Sequence, residues 1–326
     1  MAVIPRNNIM EQIMYAAIKA IEYYLPENIL TNEKLAHDFP NWSAEKILAK
    51  TGIIERHIAG ANEKASDLAD KAAEKLFASG ICERKDIDFL LLCTQSPDYF
   101  LPTTACILQD RLGLSTTCGA LDFNLGCSGY IYGLSLAKGL VESGQAKNVL
   151  LVTAETYSKY IKHEDQSVRT IFGDGAAATL VQGVISDAPF IYPTVFGTDG
   201  KGANNLIVCE NVLHMNGPEI FTFTLTCVPL VVDKILCNLN KQLTDMDLFI
   251  FHQANKYMLD HLRKKLNIPE EKFYVYMENV GNTVASTIPI AMKHALLEGR
   301  IKSGNFVMLV GFGVGYSWGG LVLRAV

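Results

Sequence analysis

Four short segments are continuous apolar runs: Phe89-Leu-Leu-Leu-Cys93, Val149-Leu-Leu-Val152 with the β-former Thr153 after it, Leu248-Phe-Ile-Phe251 and Phe306-Val-Met-Leu-Val310. A strand with one wet face alternates polar and apolar residues. A run with no alternation suits a strand covered on both faces. Helical stretches lie between these runs, at Tyr130 to Val141 and at Ile288 to Leu297, with Gly144 and Gly299 placed to end them. Alternating strands and helices with doubly buried strands predict an α/β fold whose helices cover its sheets.

The order of these elements repeats. Asp88-Phe-Leu-Leu-Leu-Cys93 precedes a helical stretch ending at Gly113, and Asp247-Leu-Phe-Ile-Phe-His252 precedes one ending near Asn267. Leu125-Gly-Cys-Ser128 then aligns with Val280-Gly-Asn-Thr283. Each is followed by a helix, a glycine and a last strand that opens at Asn148 or Asn305. A duplicated fold, two α/β halves about a pseudo-twofold axis, accounts for this order. In such a fold Cys127 and Asn282 are equivalent, as are Cys93 and His252. Halves packed face to face bring Cys127, His252 and Asn282 to one pocket although the chain separates them widely.

The 326 residues suffice for two halves, and 49% apolar with 19% charged residues makes the chain globular. A net charge of −5 with no long basic run excludes nucleic acid as a bulk partner. The eight cysteines form no C-x-x-C pair, which argues against a zinc ribbon or dithiol site. Cys93, Cys106 and Cys118 are expected in the core. The start of the chain lacks the charged-then-apolar order of a signal peptide, so a reduced, cytoplasmic protein is expected. Asn305 to Leu323 carries no charge and is long enough to cross a bilayer. Its five glycines favour two buried strands and a tight turn, and no membrane partner.

Cys127 at a helix N-terminus faces unpaired N–H groups, which favour a thiolate nucleophile and predict a lowered thiol pKa. Gly126 and Gly129 leave room for a tight turn and a close-approaching substrate. His252 ends an apolar strand, and alone it reads as readily as a hydrogen-bonded structural residue. Asn282 alone reads as a helix cap. Together, a thiol, an imidazole and a carboxamide form a nucleophilic constellation.

Gly126-Cys127-Ser-Gly-Tyr130, His252-Gln-Ala-Asn255, Gly281-Asn282-Thr283 and Gly311-Phe-Gly-Val-Gly-Tyr-Ser-Trp-Gly319 resemble the β-ketoacyl-[acyl-carrier-protein] synthase III group of thiolase-fold condensing enzymes. Thr51-Gly-Ile-Ile-Glu-Arg-His57, Phe172-Gly-Asp-Gly-Ala176 and Met215-Asn-Gly-Pro-Glu-Ile-Phe221 fit the same group, and the likeness runs from about Ile21 to the C-terminus. The resemblance implies a five-layered αβαβα fold, with residues 1–185 carrying the nucleophile and 186–326 the His and Asn. It implies decarboxylative Claisen condensation of an acyl-CoA starter with malonyl-acyl carrier protein, in fatty acid or related polyketide biosynthesis. Cys127 takes the acyl group, and His252 and Asn282 hydrogen-bond the malonyl thioester oxygen. The backbone N–H groups of Cys127 and Val314 form an oxyanion hole for the acyl-cysteine. Substrate contacts fall on Leu101, Phe172, Met215, Gly217, Phe221, Asn255 and Phe312, with Leu101 serving a partner subunit. Arg263, Lys264 and Lys265 face the carrier protein. A homodimer with no metal and no cofactor is implied.

Departures from the group's pattern concern substrate binding. Lys46 and Lys50 stand where a Trp and an Arg hold the CoA adenine in other members, and Trp42 lies further upstream. Pro218 replaces an Asn and Tyr257 an Arg. Leu101 stands where a Phe often lines the acyl pocket. Hydroxymethylglutaryl-CoA synthases use a glutamate base as well, and no Glu occupies the motif positions here. Two other functions fit the same residues in part: acyl transfer to an amine or hydroxyl, and a non-catalytic carrier-binding subunit. A papain-type peptidase shares Cys, His and Asn but not the local motifs.

Overall fold

The computed structural model describes residues 13–326. Its strands are β1 (Met14–Tyr24), β2 (Asn28–Thr31), β3 (Glu55–Ile58), β4 (Phe89–Cys93), β5 (Gly119–Phe123), β6 (Asn148–Glu155), β7 (Gly175–Ile185), β8 (Val195–Thr198), β9 (Leu206–Cys209), β10 (Val212–Met215), β11 (Leu248–Phe251), β12 (Phe306–Gly313) and β13 (Ser317–Arg324). The helices are α1 (Asn32–Asp38), α2 (Ala44–Thr51), α3 (Ala65–Ala78), α4 (Thr104–Arg111), α5 (Gly129–Glu142), α6 (Gln166–Arg169), α7 (Gly217–Leu239), α8 (Lys256–Lys265) and α9 (Thr287–Leu297). The two large sheets have the orders β1-β7-β6-β4-β5 and β11-β12-β13-β8, and β2-β3 and β9-β10 form two-stranded sheets beside them.

The two sheets repeat one topology. β4 runs parallel to β6, and β6 antiparallel to β7, which pairs antiparallel with β1. β11, β12, β13 and β8 follow the same sequence of orientations. The counterpart of β5 in the second half is reduced to one parallel bridge, Phe249 to Phe273. Asp88 accepts hydrogen bonds from the N–H groups of Lys147 and Asn148, and Asp247 accepts one from Phe306. The predicted alignment of the last strands is offset by one residue. Phe89 pairs with Val149 and Leu248 with Val307, so Phe306, not Asn305, matches Asn148.

Alternate residues of each doubly buried strand serve different layers, giving the αβαβα stack. Leu90 and Leu92 pack outward with α3 and α4, whereas Leu91 packs inward with Tyr130 and Leu134 of α5 and Ile288 of α9. Leu248 and Ile250 meet that same central layer, while Phe249 and Phe251 pack outward with Val228 of α7 and Leu259 of α8. α5 and α9 therefore lie between the sheets, and the halves share one core. The uncharged stretch from Asn305 to Leu323 forms the β12–β13 hairpin. α7 is the one helix among the described residues long and apolar enough to cross a membrane, but its Ile220, Val228, Val231, Val232 and Ile235 are buried in the core. Cys106 is exposed and Cys118 half-buried, contrary to expectation. On α4, Ala105 and Leu108 take the buried face, which turns Cys106 outward.

Candidate active site

Each of the three predicted side chains is delivered by a tightly fixed piece of backbone. Cys127 sits in the turn between β5 and α5, where Gly129 N–H donates to Gly126 C=O at 2.7 Å. A Cβ on Gly129 would stand 2.3 Å from Cys93 Sγ, so only glycine lets α5 start there. β12 approaches from the other half, and a Cβ on Gly313 would lie 2.9 Å from Cys127 Sγ. The glycines at 311 and 313 thus permit close approach to the nucleophile rather than merely shaping a turn. His252 follows β11, its N–H bonded to Val310 C=O at 2.8 Å. Asn282 bridges Phe172: its N–H donates to Ile171 C=O and its C=O accepts from Gly173 N–H, both at 3.0 Å.

Cys127, His252 and Asn282 line one cavity of about 490 Å³. Phe172, Met215, Gly217, Phe221, Asn255 and Phe312 line it too. Met215 ends the β9–β10 hairpin, and Gly217 and Phe221 open α7. Asn255 caps α8 through its side chain, which accepts from Met258 N–H at 2.8 Å. Phe312 stands edge-on to the His252 ring, 5.6 Å between centroids. Val314 is not part of the cavity wall, but its backbone N–H faces the Cys127 sulfur, as does that of Cys127 itself. Ser317 holds this loop, donating to Val314 C=O at 2.8 Å while its hydroxyl meets Ser128 Oγ at 2.7 Å.

The remaining predicted residues lie elsewhere. Leu101 is 74% exposed on the β4–α4 loop beside a fully exposed Phe100, outside the cavity of its own chain. Arg263 is largely covered, paired with Glu270 at 3.3 Å and bonded to Ile268 C=O, whereas Lys264 and Lys265 are exposed. The mouth carries Trp42 and Lys50, whose ammonium lies 4.5 Å from the Trp42 ring centre. Pro218 and Tyr257 also line it.

Asn282 is oriented by its neighbours. Its Oδ1 accepts from Val284 N–H at 2.9 Å, and its Nδ2 reaches only Ala254 C=O, at 3.4 Å. The carboxamide therefore offers the cavity a donor. Val284 adopts φ +56°, a left-handed backbone unusual for a β-branched residue, and this strained turn sets the angle at which its N–H meets Asn282.

Electrostatics correct one expectation. Burial pushes the Cys127 thiol up to about 12, although the N–H groups of Val314 and Cys127 pull it down. The Glu155 carboxyl adds to the rise. Burial likewise drives His252 down to about 3. The resting pair is thiol and neutral imidazole, not thiolate and imidazolium, because desolvation outweighs the helix N-terminus.

Two supporting residues escaped the sequence reading. Thr287 Oγ1 lies 2.8 Å from His252 Nδ1. Glu155, the last residue of β6, is fully buried and accepts from Gln95 N–H and Ser96 Oγ, the latter at 2.7 Å. Burial lifts its carboxyl to about 8. A charged residue closing an apolar strand was the one sequence signal for Glu155.

The family model described as 3-oxoacyl-[acyl-carrier-protein] synthase III matches residues 121–200, and that of its C-terminal part matches 236–325. β-Ketoacyl-[acyl-carrier-protein] synthase III of Clostridium perfringens is 38% identical over 315 residues, covering 92% of this chain and 96% of its own. The enzyme of that name from Campylobacter jejuni subsp. doylei is 38% identical over 325 residues, covering 96% and 98%. The chain belongs to the β-ketoacyl-[acyl-carrier-protein] synthase III family. A crystal structure of a 3-oxoacyl-(acyl-carrier-protein) synthase III is 52% identical, with a TM-score of 0.94 over 95% of this chain and 99% of that one. The thiolase-like fold is thereby established, and the protein is a condensing enzyme of the acyltransferase class.

Proposed function

We propose that this enzyme condenses an acyl-CoA starter with malonyl-acyl carrier protein through an acyl thioester on Cys127. The observation that carries the reading is the shared cavity: a sulfur, an imidazole and an oriented carboxamide from opposite halves of the fold meet in one largely apolar space. The Cys127 sulfur attacks the starter thioester, and the oxygen that gains charge is held by the N–H groups of Cys127 and Val314. After CoA leaves, a malonyl thioester enters. Its carbonyl oxygen gains charge as carbon dioxide departs, and Asn282 Nδ2 and His252 hydrogen-bond that oxygen. Such donors are strong in a site that excludes water. Phe312, against the His252 ring, helps keep it dry.

The walls formed by Phe172, Met215, Gly217, Phe221, Asn255 and Phe312 bind the acyl and pantetheine portions. The exposed Phe100-Leu101 tip supports a homodimer in which Leu101 reaches the partner's acyl pocket, since a fully exposed Phe is costly in a monomer. Lys264 and Lys265 receive the carrier protein, with Arg263 fixed by Glu270 in a lesser part. Residues 1–185 supply the nucleophile and 186–326 the His and Asn. The enzyme works in the cytoplasm, in fatty acid biosynthesis, without metal or cofactor.

The test is product analysis. The protein, an acyl-CoA and malonyl-acyl carrier protein should give β-ketoacyl-carrier protein and carbon dioxide in equal amounts. Acyl transfer to an amine or hydroxyl with no carbon dioxide release contradicts the reading.

A further inference from the structure

His252 has two ring nitrogens, and only one carries a proton when the ring is neutral. Which one is decided by the groups beside the ring: Thr287 Oγ1 faces Nδ1 at 2.8 Å, and the Val284 carbonyl also favours a proton on the ring. A hydroxyl has a single proton. Thr287 Oγ1 also lies 3.0 Å from Val284 C=O and 3.3 Å from Gln253 N–H. A carbonyl accepts only and an amide N–H donates only. The hydroxyl proton therefore goes to Val284, and the oxygen accepts from Gln253. Its remaining lone pair accepts from the ring. All these atoms belong to buried residues, so no water competes for the hydroxyl.

We propose that Thr287 is a positioning residue that fixes His252 in its Nδ1–H form, so that Nε2, turned to the cavity, is an unprotonated acceptor in the resting enzyme. This rests on the reading of Cys127 and His252 as parts of one condensing site.

The consequence is a defined path for protons. As Cys127 Sγ bonds the acyl carbon of the starter, the thiol proton moves to Nε2. As the bond from that carbon to the CoA sulfur breaks, the proton passes from Nε2 to the departing sulfur, which leaves as a neutral thiol. The ring is neutral again. Overall the condensation consumes one proton, because a carboxylate leaves as carbon dioxide. Nε2 takes that proton from solvent when the malonyl anion enters, since negative charge in the cavity favours an imidazolium beside it. It holds the proton against the thioester oxygen while the bond to the carboxyl carbon breaks. The new carbon–carbon bond forms, the bond from the acyl carbon to Cys127 Sγ breaks, and the proton returns to Sγ. His252 is thus a base in the first half-reaction and a donor in the second.

The experiment is ¹⁵N NMR of ¹⁵N-histidine-labelled protein, with His252→Gln assigning the His252 signals by subtraction. A protonated Nδ1 and an unprotonated Nε2 in the resting enzyme are expected, and the reverse overturns the proposal. Thr287→Val removes the hydroxyl at nearly constant shape. It should disturb this tautomer and slow acylation of Cys127 about tenfold or more, a part of the roughly 100- to 10,000-fold that a general base supplies. Thr287→Ser should restore both. A Thr287→Val enzyme with the wild-type tautomer and acylation rate overturns the proposal equally. Should Thr287→Val fail to fold, the wild-type spectrum decides on its own. If no acyl-CoA acylates the wild-type enzyme, the condensing reading fails, whereas the tautomer measurement still stands.

Discussion

Asn282→Asp is the substitution that separates the two halves of the reaction most cleanly. Asn282 is 3% exposed, and its Oδ1 is committed to Val284 N–H. In the variant that oxygen keeps its partner, so the turn is expected to hold. What changes is Nδ2, whose place is taken by a second oxygen facing Ala254 C=O across about 3.4 Å. As a carboxylate it repels both that carbonyl and the charge growing on the malonyl thioester oxygen. Losing one such donor costs about 100- to 1,000-fold in rate, or roughly 3 to 4 kcal/mol of barrier, and the added repulsion pushes toward the upper end. Acylation of Cys127 uses the N–H groups of Cys127 and Val314 instead and should be nearly unchanged. The assay pairs carbon dioxide release from malonyl-acyl carrier protein with the mass gain of the enzyme after mixing with acyl-CoA, and a melting curve checks the fold. Wild-type carbon dioxide release, or equal loss in both half-reactions, refutes the assignment.

Gly313→Ala places a Cβ 2.9 Å from Cys127 Sγ and Cβ. It should lower stability by about 1 to 3 kcal/mol through overpacking, and slow acylation by displacing the sulfur, read by melting and by mass spectrometry. Burial lifts the Glu155 carboxyl from its ordinary 4.5 to about 8 in the folded protein. The unfolded chain loses that proton first, so the native state loses stability as pH rises from about 4.5 through 8. Glu155→Gln should flatten this part of the wild-type stability curve in urea titrations at pH 5 and pH 8.5, and an unchanged slope contradicts a neutral buried carboxyl.

The sequence made the layered α/β plan legible because doubly buried strands leave runs such as Leu90-Leu-Leu92 with no polar interruption. It made the site legible because duplication turns a local alignment, Cys127 with Asn282, into a spatial statement. The one-residue offset at Asn305 escaped because apolar runs carry no internal mark of register. The direction of the Cys127 shift escaped for a different reason. A helix N-terminus is visible in a sequence, but the depth at which Gly313 and Val314 close over the sulfur is not. Thr287 lies 35 residues from His252 and becomes its partner only through the turn at Val284. Cys106 turned outward because Ala105 and Leu108 already fill the inner face of a short helix.

The claim on which all else depends is that the Cys127 sulfur carries the acyl group. Intact-mass measurement after mixing with a panel of acyl-CoAs, followed by peptide mapping, reads this directly. One acyl increment per chain on the peptide containing Cys127, absent in Cys127→Ala, is the predicted result. An increment on another cysteine, or one that survives Cys127→Ala, contradicts the account.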